Sequence, residues 1–162
     1  MKIPQPIHQA TRLLAIIALL ISTSLWATDF ETILAQKEAP AGVVIESVSD
    51  EDGLLSDLLP LIKQEIKRLR QRFPDLPVAI VSHGSEQFDL TTKNQKHESA
   101  AHKITRELVT TEEVDVYVCG THAGWYGITP EDFPDYVDVT TAGPAQINDY
   151  EAMGYELIVL PE

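Results

Sequence analysis

Four short apolar runs constrain the fold most: residues 43–48 (VVIESV), 78–81 (VAIV), 114–118 (VDVYV) and 157–160 (LIVL). β-Branched and apolar residues dominate each, as they do in buried strands. An exposed sheet face would alternate polar with apolar residues, and these runs barely alternate. Between most of them lie segments with apolar residues at helical spacing. Short apolar strands separated by helices read as a parallel sheet covered by helices on both faces. The expected class is therefore α/β.

The elements can be set out in order. Leu55, Leu58, Leu59, Ile62, Ile66, Leu69 and Phe73 recur at helical spacing, with Asp57 as the expected N-cap and Pro60 in the first turn. Lys63, Lys67, Arg68, Arg70 and Arg72 cover the other side of that helix and read as a solvated face. Residues 87–96 are polar and read as a loop, and residues 99–109 as a second helix. Thr129 followed by Pro130 and two acids is a helix start. Residues 136–139 form a fourth short strand. Gly143-Pro144 opens a third helix that Gly154 closes. No glycine pattern matches a dinucleotide or phosphate loop.

The first 27 residues have the pattern of a secretory signal: Lys2 and Arg12 without acids, an apolar core at 13–20 (LLAIIALL), then Ala27 at the expected cut. Residues 28–42 read as a polar leader or short helix, and 43–162 as one domain. A chain of 162 residues, 44% of them hydrophobic, leaves little room for two cores. The expected location is the periplasm, with no membrane attachment after cleavage. The formal net charge of −13 argues against nucleic acid and anionic lipid as partners.

Export gives the single cysteine its interest, because exported proteins tend to pair their thiols and Cys119 has no partner in the chain. It ends an apolar run, and open α/β sheets place ligand chemistry beyond the carboxyl ends of their strands. Residues 78–81 run similarly into His83, so His83 and Cys119 share one sheet edge. His122 follows three residues after the thiol, and a turn starting at Gly120 aims backbone N–H groups at the sulfur. Such donors, or an imidazolium, raise the thiolate fraction. A packed, inert cysteine is the alternative reading. Cys119, His83 and His122 supply at most three metal ligands, and His97 and His102 sit in no ligand motif, so neither a metal nor a cofactor is expected. Trp125 and Tyr126 wall the pocket or pack at a subunit contact.

In these residues the chain resembles the DsrE/DsrF-like sulfur-relay family. The likeness rests on 47–50 (SVSD), His83-Gly84, 118–120 (VCG), Gly127-Ile128, Ala142-Gly143 and 153–155 (MGY), in that order, across nearly all of residues 43–160. It implies a three-layer α/β/α sandwich with a mainly parallel sheet of about five strands. It also implies homo-oligomers, trimers or hexamers. In relay members a cysteine at the position of Cys119 carries sulfane sulfur as a persulfide. The resemblance thus points to an exported sulfur carrier or sulfurtransferase-like protein, with sulfur-donor and acceptor thiols as partners and His83 and His122 assisting Cys119. Well-studied relay members are cytoplasmic, which sets the export signal apart. Two readings stand beside this one: a non-catalytic oligomeric module that binds a small ligand or protein, and a thiol redox partner, which would lack a resolving cysteine.

Overall fold

The computed structural model describes residues 29–160, so the signal sequence expected at 1–27 lies outside the described residues. The order of elements is α1 (Phe30–Leu34), β1 (Gly42–Ser47), α2 (Leu54–Arg72), β2 (Val78–Ser82), α3 (Ser99–Glu112), β3 (Asp115–Cys119), α4 (Gly120–Trp125), β4 (Asp138–Thr140), α5 (Gly143–Ala152) and β5 (Tyr155–Val159). Short 3₁₀ segments at Ser85–Leu90, Thr92–Asn94 and Pro130–Asp132 punctuate the connections. Among the described residues no helix is long and apolar enough to cross a membrane.

All five strands run parallel in the order β4-β3-β2-β1-β5. Right-handed crossovers explain the layers. The chain steps from β1 to β2 to β3 in one direction, which puts α2 and α3 on one face. From β4 it returns across the whole sheet to β5, which puts α5 on the other. Val43, Ile45, Ile80, Val116 and Val118 pack with Leu59, Ile62, Ile66, Leu69 and Leu108 on the first face. Val44, Ala79 and Val81 pack with Ile147 and Tyr150 on the second. Each large aliphatic side chain so buried contributes about 1.5–3 kcal/mol. The α/β class with a five-stranded parallel sheet is as expected.

Several local expectations are corrected. Helix α2 begins at Leu54, not at Asp57, and its N-cap is Gly53 in the left-handed region at φ 82°. The cap is supplied across the fold: the Asp89 carboxylate accepts the N–H groups of Gly53 (2.9 Å) and Leu55 (3.1 Å). Pro60 consequently lies inside the helix, at an exposed position, where its missing N–H leaves the Ser56 carbonyl without a helical partner. Only the second half of 87–96 is the solvated stretch expected: residues 92–96 are largely exposed, whereas the 3₁₀ segment Ser85–Leu90 buries Glu86, Gln87, Asp89 and Leu90. The start at Thr129 yields one 3₁₀ turn, with the Asp132 carboxylate accepting from Thr129. Pro134 forces Phe133 into extended backbone and ends it. The fourth strand lies at Asp138–Thr140, so Tyr136 precedes it and turns to α3. The last strand starts two residues early, at Tyr155.

The basic side of α2 also does more than meet solvent. Lys63 pairs with Glu107 and Glu112, Arg68 with Glu31 and Glu65, and Arg70 donates to the carbonyls of Leu76 and Glu112. These contacts strap α2 to α1 and α3. As exposed ion pairs they add little each.

Candidate functional site at the carboxyl edge of the sheet

Cys119 is the last residue of β3 and the N-cap of α4. Val118 faces the α2/α3 core, so strand alternation turns Cys119 to the α5 side. Its Sγ accepts the backbone N–H of His122 at 3.4 Å, the donor geometry expected of a turn starting at Gly120. The thiol is free and only 5% exposed. The nucleophilic form of a cysteine is the thiolate.

The backbone N–H of Cys119 donates to Gln87 Oε1 at 2.7 Å. Strand β2 pairs with β3 only as far as Ser82 opposite Val118, so the Gln87 side chain takes over where the neighbouring strand has left. Gln87 is fully buried, and so is Glu86 beside it. The Glu86 carboxylate accepts from Ser82 Oγ (2.6 Å), Ser49 N (2.8 Å) and Gly84 N (3.3 Å). Those bonds tie the ends of β1 and β2 together under the site. A carboxylate taken from water needs that many donors. Sequence reasoning missed both residues because a polar stretch next to a strand end reads as solvent-facing.

His83 is at the same edge, one residue beyond the pair of Ser82 and Val118. Among the described residues no hydrogen bond joins it to Cys119. Its Nε2 lies 2.6 Å from Glu46 Oε1 instead, with both side chains mostly buried. Gly143, the first residue of α5, packs directly on it: a Cβ there would lie 2.6 Å from His83 Cβ. The Glu46 carboxylate can only accept, so Nε2 carries the proton in the neutral ring and Nδ1 is left as a base. Glu46 had no signal in the sequence beyond being a lone acid inside an apolar strand.

The His122 ring lies over the edge in an aromatic group. It stacks on Tyr126 (centroids 5.3 Å apart, 8° between planes) and meets the edge of Phe88 at 5.6 Å. Trp125 and Tyr126 are 76% and 62% exposed, so they form a surface patch beside the thiol and not an enclosed wall. His102 is remote from this edge in function: it is buried in α3, donating from Nε2 to the Thr91 carbonyl at 3.2 Å and accepting at Nδ1 from the Tyr136 hydroxyl at 2.5 Å. Burial holds its pKa below the ordinary imidazole value. A groove of about 1120 Å³ is at the opposite edge of the sheet, between Lys63, Lys67, Arg70, Pro77 and Glu113. Among the described residues no three of His, Cys, Asp and Glu gather as metal ligands.

The five-stranded parallel α/β fold is shared by two solved structures. The protein of unknown function MTH1491 from Methanobacterium thermoautotrophicum superposes with a TM-score of 0.56 at 19% identity, over 73% of this chain and 97% of its own. The ychN protein from E. coli superposes with a TM-score of 0.51 at 16% identity, over 74% and 98% of the two chains. Neither a protein-family model nor a curated protein matches the sequence.

Proposed function

We propose that this chain is an exported sulfur carrier in which Cys119 holds sulfane sulfur as a persulfide. The observation that carries the reading is the free thiol at the carboxyl end of β3, with its sulfur accepting the His122 N–H. The fold is one on which sulfur relay occurs, which supports it.

Loading from thiosulfate would run as follows. The Cys119 thiol gives up its proton, with His83, at the same sheet edge and held by Glu46, as the base this reading assigns. The thiolate attacks the outer, sulfane sulfur of thiosulfate. An S–S bond forms to Cys119 as the S–S bond of the donor breaks, and sulfite leaves with that electron pair. Transfer reverses the logic: an acceptor thiolate attacks the outer sulfur of the persulfide and Cys119 thiolate departs. Both steps are sulfur transfers with no net change in electrons. The carrier is read as a periplasmic homo-oligomer, a trimer or hexamer, with donor and acceptor thiols as its partners.

The test is mass spectrometry of signal-free protein after exposure to thiosulfate or polysulfide. One added sulfur on Cys119, removed by a reductant and absent from Cys119→Ser, is expected. Alkylation of the folded protein supplies the second measurement, and a Cys119 that reacts without unfolding is expected. A thiol that reacts only after unfolding would overturn the reading and leave a binding module with a packed cysteine. Light scattering and N-terminal sequencing of the exported product check the assembly and the cut.

A further inference from the structure

Two residues hold Cys119, and among the described residues each has a further nitrogen without a hydrogen-bond partner. Gln87 accepts the Cys119 N–H through Oε1, and because that partner is an N–H the carboxamide orientation is fixed, leaving Nε2 as the donor. That Nε2 is buried without a partner in a side chain that is 0% exposed. His122 donates its backbone N–H to Cys119 Sγ, and its ring Nε2 is also buried and unpartnered. The two side chains are tied to each other through Phe88, which follows Gln87 in sequence and packs edge-on against the His122 ring.

A buried polar group without a partner is costly, and the His122 ring offers a donor here in the form that carries its proton on Nε2. Each such group calls for an explanation, and a catalytic or ligand-binding role is one. Here both stand at the one residue read as the nucleophile, and neither is bonded to the Glu86 carboxylate, which is occupied by Ser49, Ser82 and Gly84. We infer that Gln87 Nε2 and His122 Nε2 form a subsite for the anionic end of the molecule that reacts with Cys119, a small oxyanion of the thiosulfonate type. The inference rests on Cys119 as the working thiol. It gives Gln87 two tasks: its oxygen positions residue 119 and its nitrogen receives the substrate oxyanion. It also explains how a chain with formal net charge −13 can accept an anion at all.

The experiment compares alkylation of Cys119 by iodoacetate, an anion, and iodoacetamide, its neutral counterpart. The ratio of the two rates is normalised to that of the same protein in denaturant, which cancels thiol reactivity. Wild-type protein should show a ratio above one despite its charge. His122→Phe keeps the stacked ring and the backbone N–H to sulfur but lacks Nε2. Gln87→Met keeps the volume but loses the amide. Each should lower the ratio at least fivefold in protein that still unfolds cooperatively. A wild-type ratio at or below one, or an unchanged ratio in folded His122→Phe, would overturn the subsite. Thiosulfate should protect wild-type Cys119 from iodoacetamide. If the ratio responds as stated while no persulfide ever forms, the relay reading falls and the anion subsite stands.

Discussion

At the position of Gly143 the imidazole of His83 fills the space a side chain would need. Gly143→Ala would set two carbons 2.6 Å apart, and either α5 or His83 has to move. Overpacking of this kind costs about 1–3 kcal/mol. The variant should therefore unfold at lower urea and, by displacing His83 from Glu46, slow Cys119 alkylation at neutral pH. Residues of this scale divide into two groups in how well the sequence announces them. Cys119, His83 and His122 stand just past apolar runs, where the strand rule alone puts them at one edge. Glu46, Glu86 and Gln87 gave no such sign. A buried polar side chain looks like a surface one until its partners are known, and the partners of Glu86 lie on two separate segments, the ends of β1 and β2.

Helix α2 shows the same limit one level up. Its apolar spacing was enough to place it, but its start depends on Asp89, a residue from the far side of β2. Removing an N-cap costs about 1–2 kcal/mol. Asp89→Ala should lose that much in urea unfolding, and Asp89→Asn, which keeps one acceptor oxygen, should lose less. Substituting Asp57, the cap that local sequence suggests, should change stability by only a few tenths of that. The segment 85–94 is the element that sequence misread most. It has no hydrophobic period, yet it carries the cap of α2, the ligand of the Cys119 N–H and a wall of the His122 ring. Its role is set by long-range hydrogen bonds, which leave no periodic trace. The strands were legible because burial on both faces writes itself directly into composition.

Across the molecule, acid and alkali should both destabilise the fold through buried rings. Burial lowers the pKa of His102, so the unfolded chain binds the proton more readily. Stability is then fully present above the ordinary imidazole value of about 6.5 and is lost as pH falls below it. Melting temperature should drop through that window, and His102→Gln should flatten the drop. Tyr150 is the alkaline counterpart: burial first, then Tyr117 and Asp115, push its hydroxyl well above the usual tyrosine range. Stability should fall as pH rises past about 10, where the unfolded chain ionises first. The strand order has a consequence in time. β1 pairs on one side with β2, close in sequence, and on the other with β5, nearly the last segment described. A chain emerging from its amino end must therefore keep one flank of this buried strand unpaired until the other four strands' segments have appeared. Ending the chain before Tyr155 should leave that flank open as a template for intermolecular pairing, and such a truncation should aggregate instead of merely softening. Closure of β1 with β5 is non-local and should be a slow step, one that waits for Tyr155–Val159.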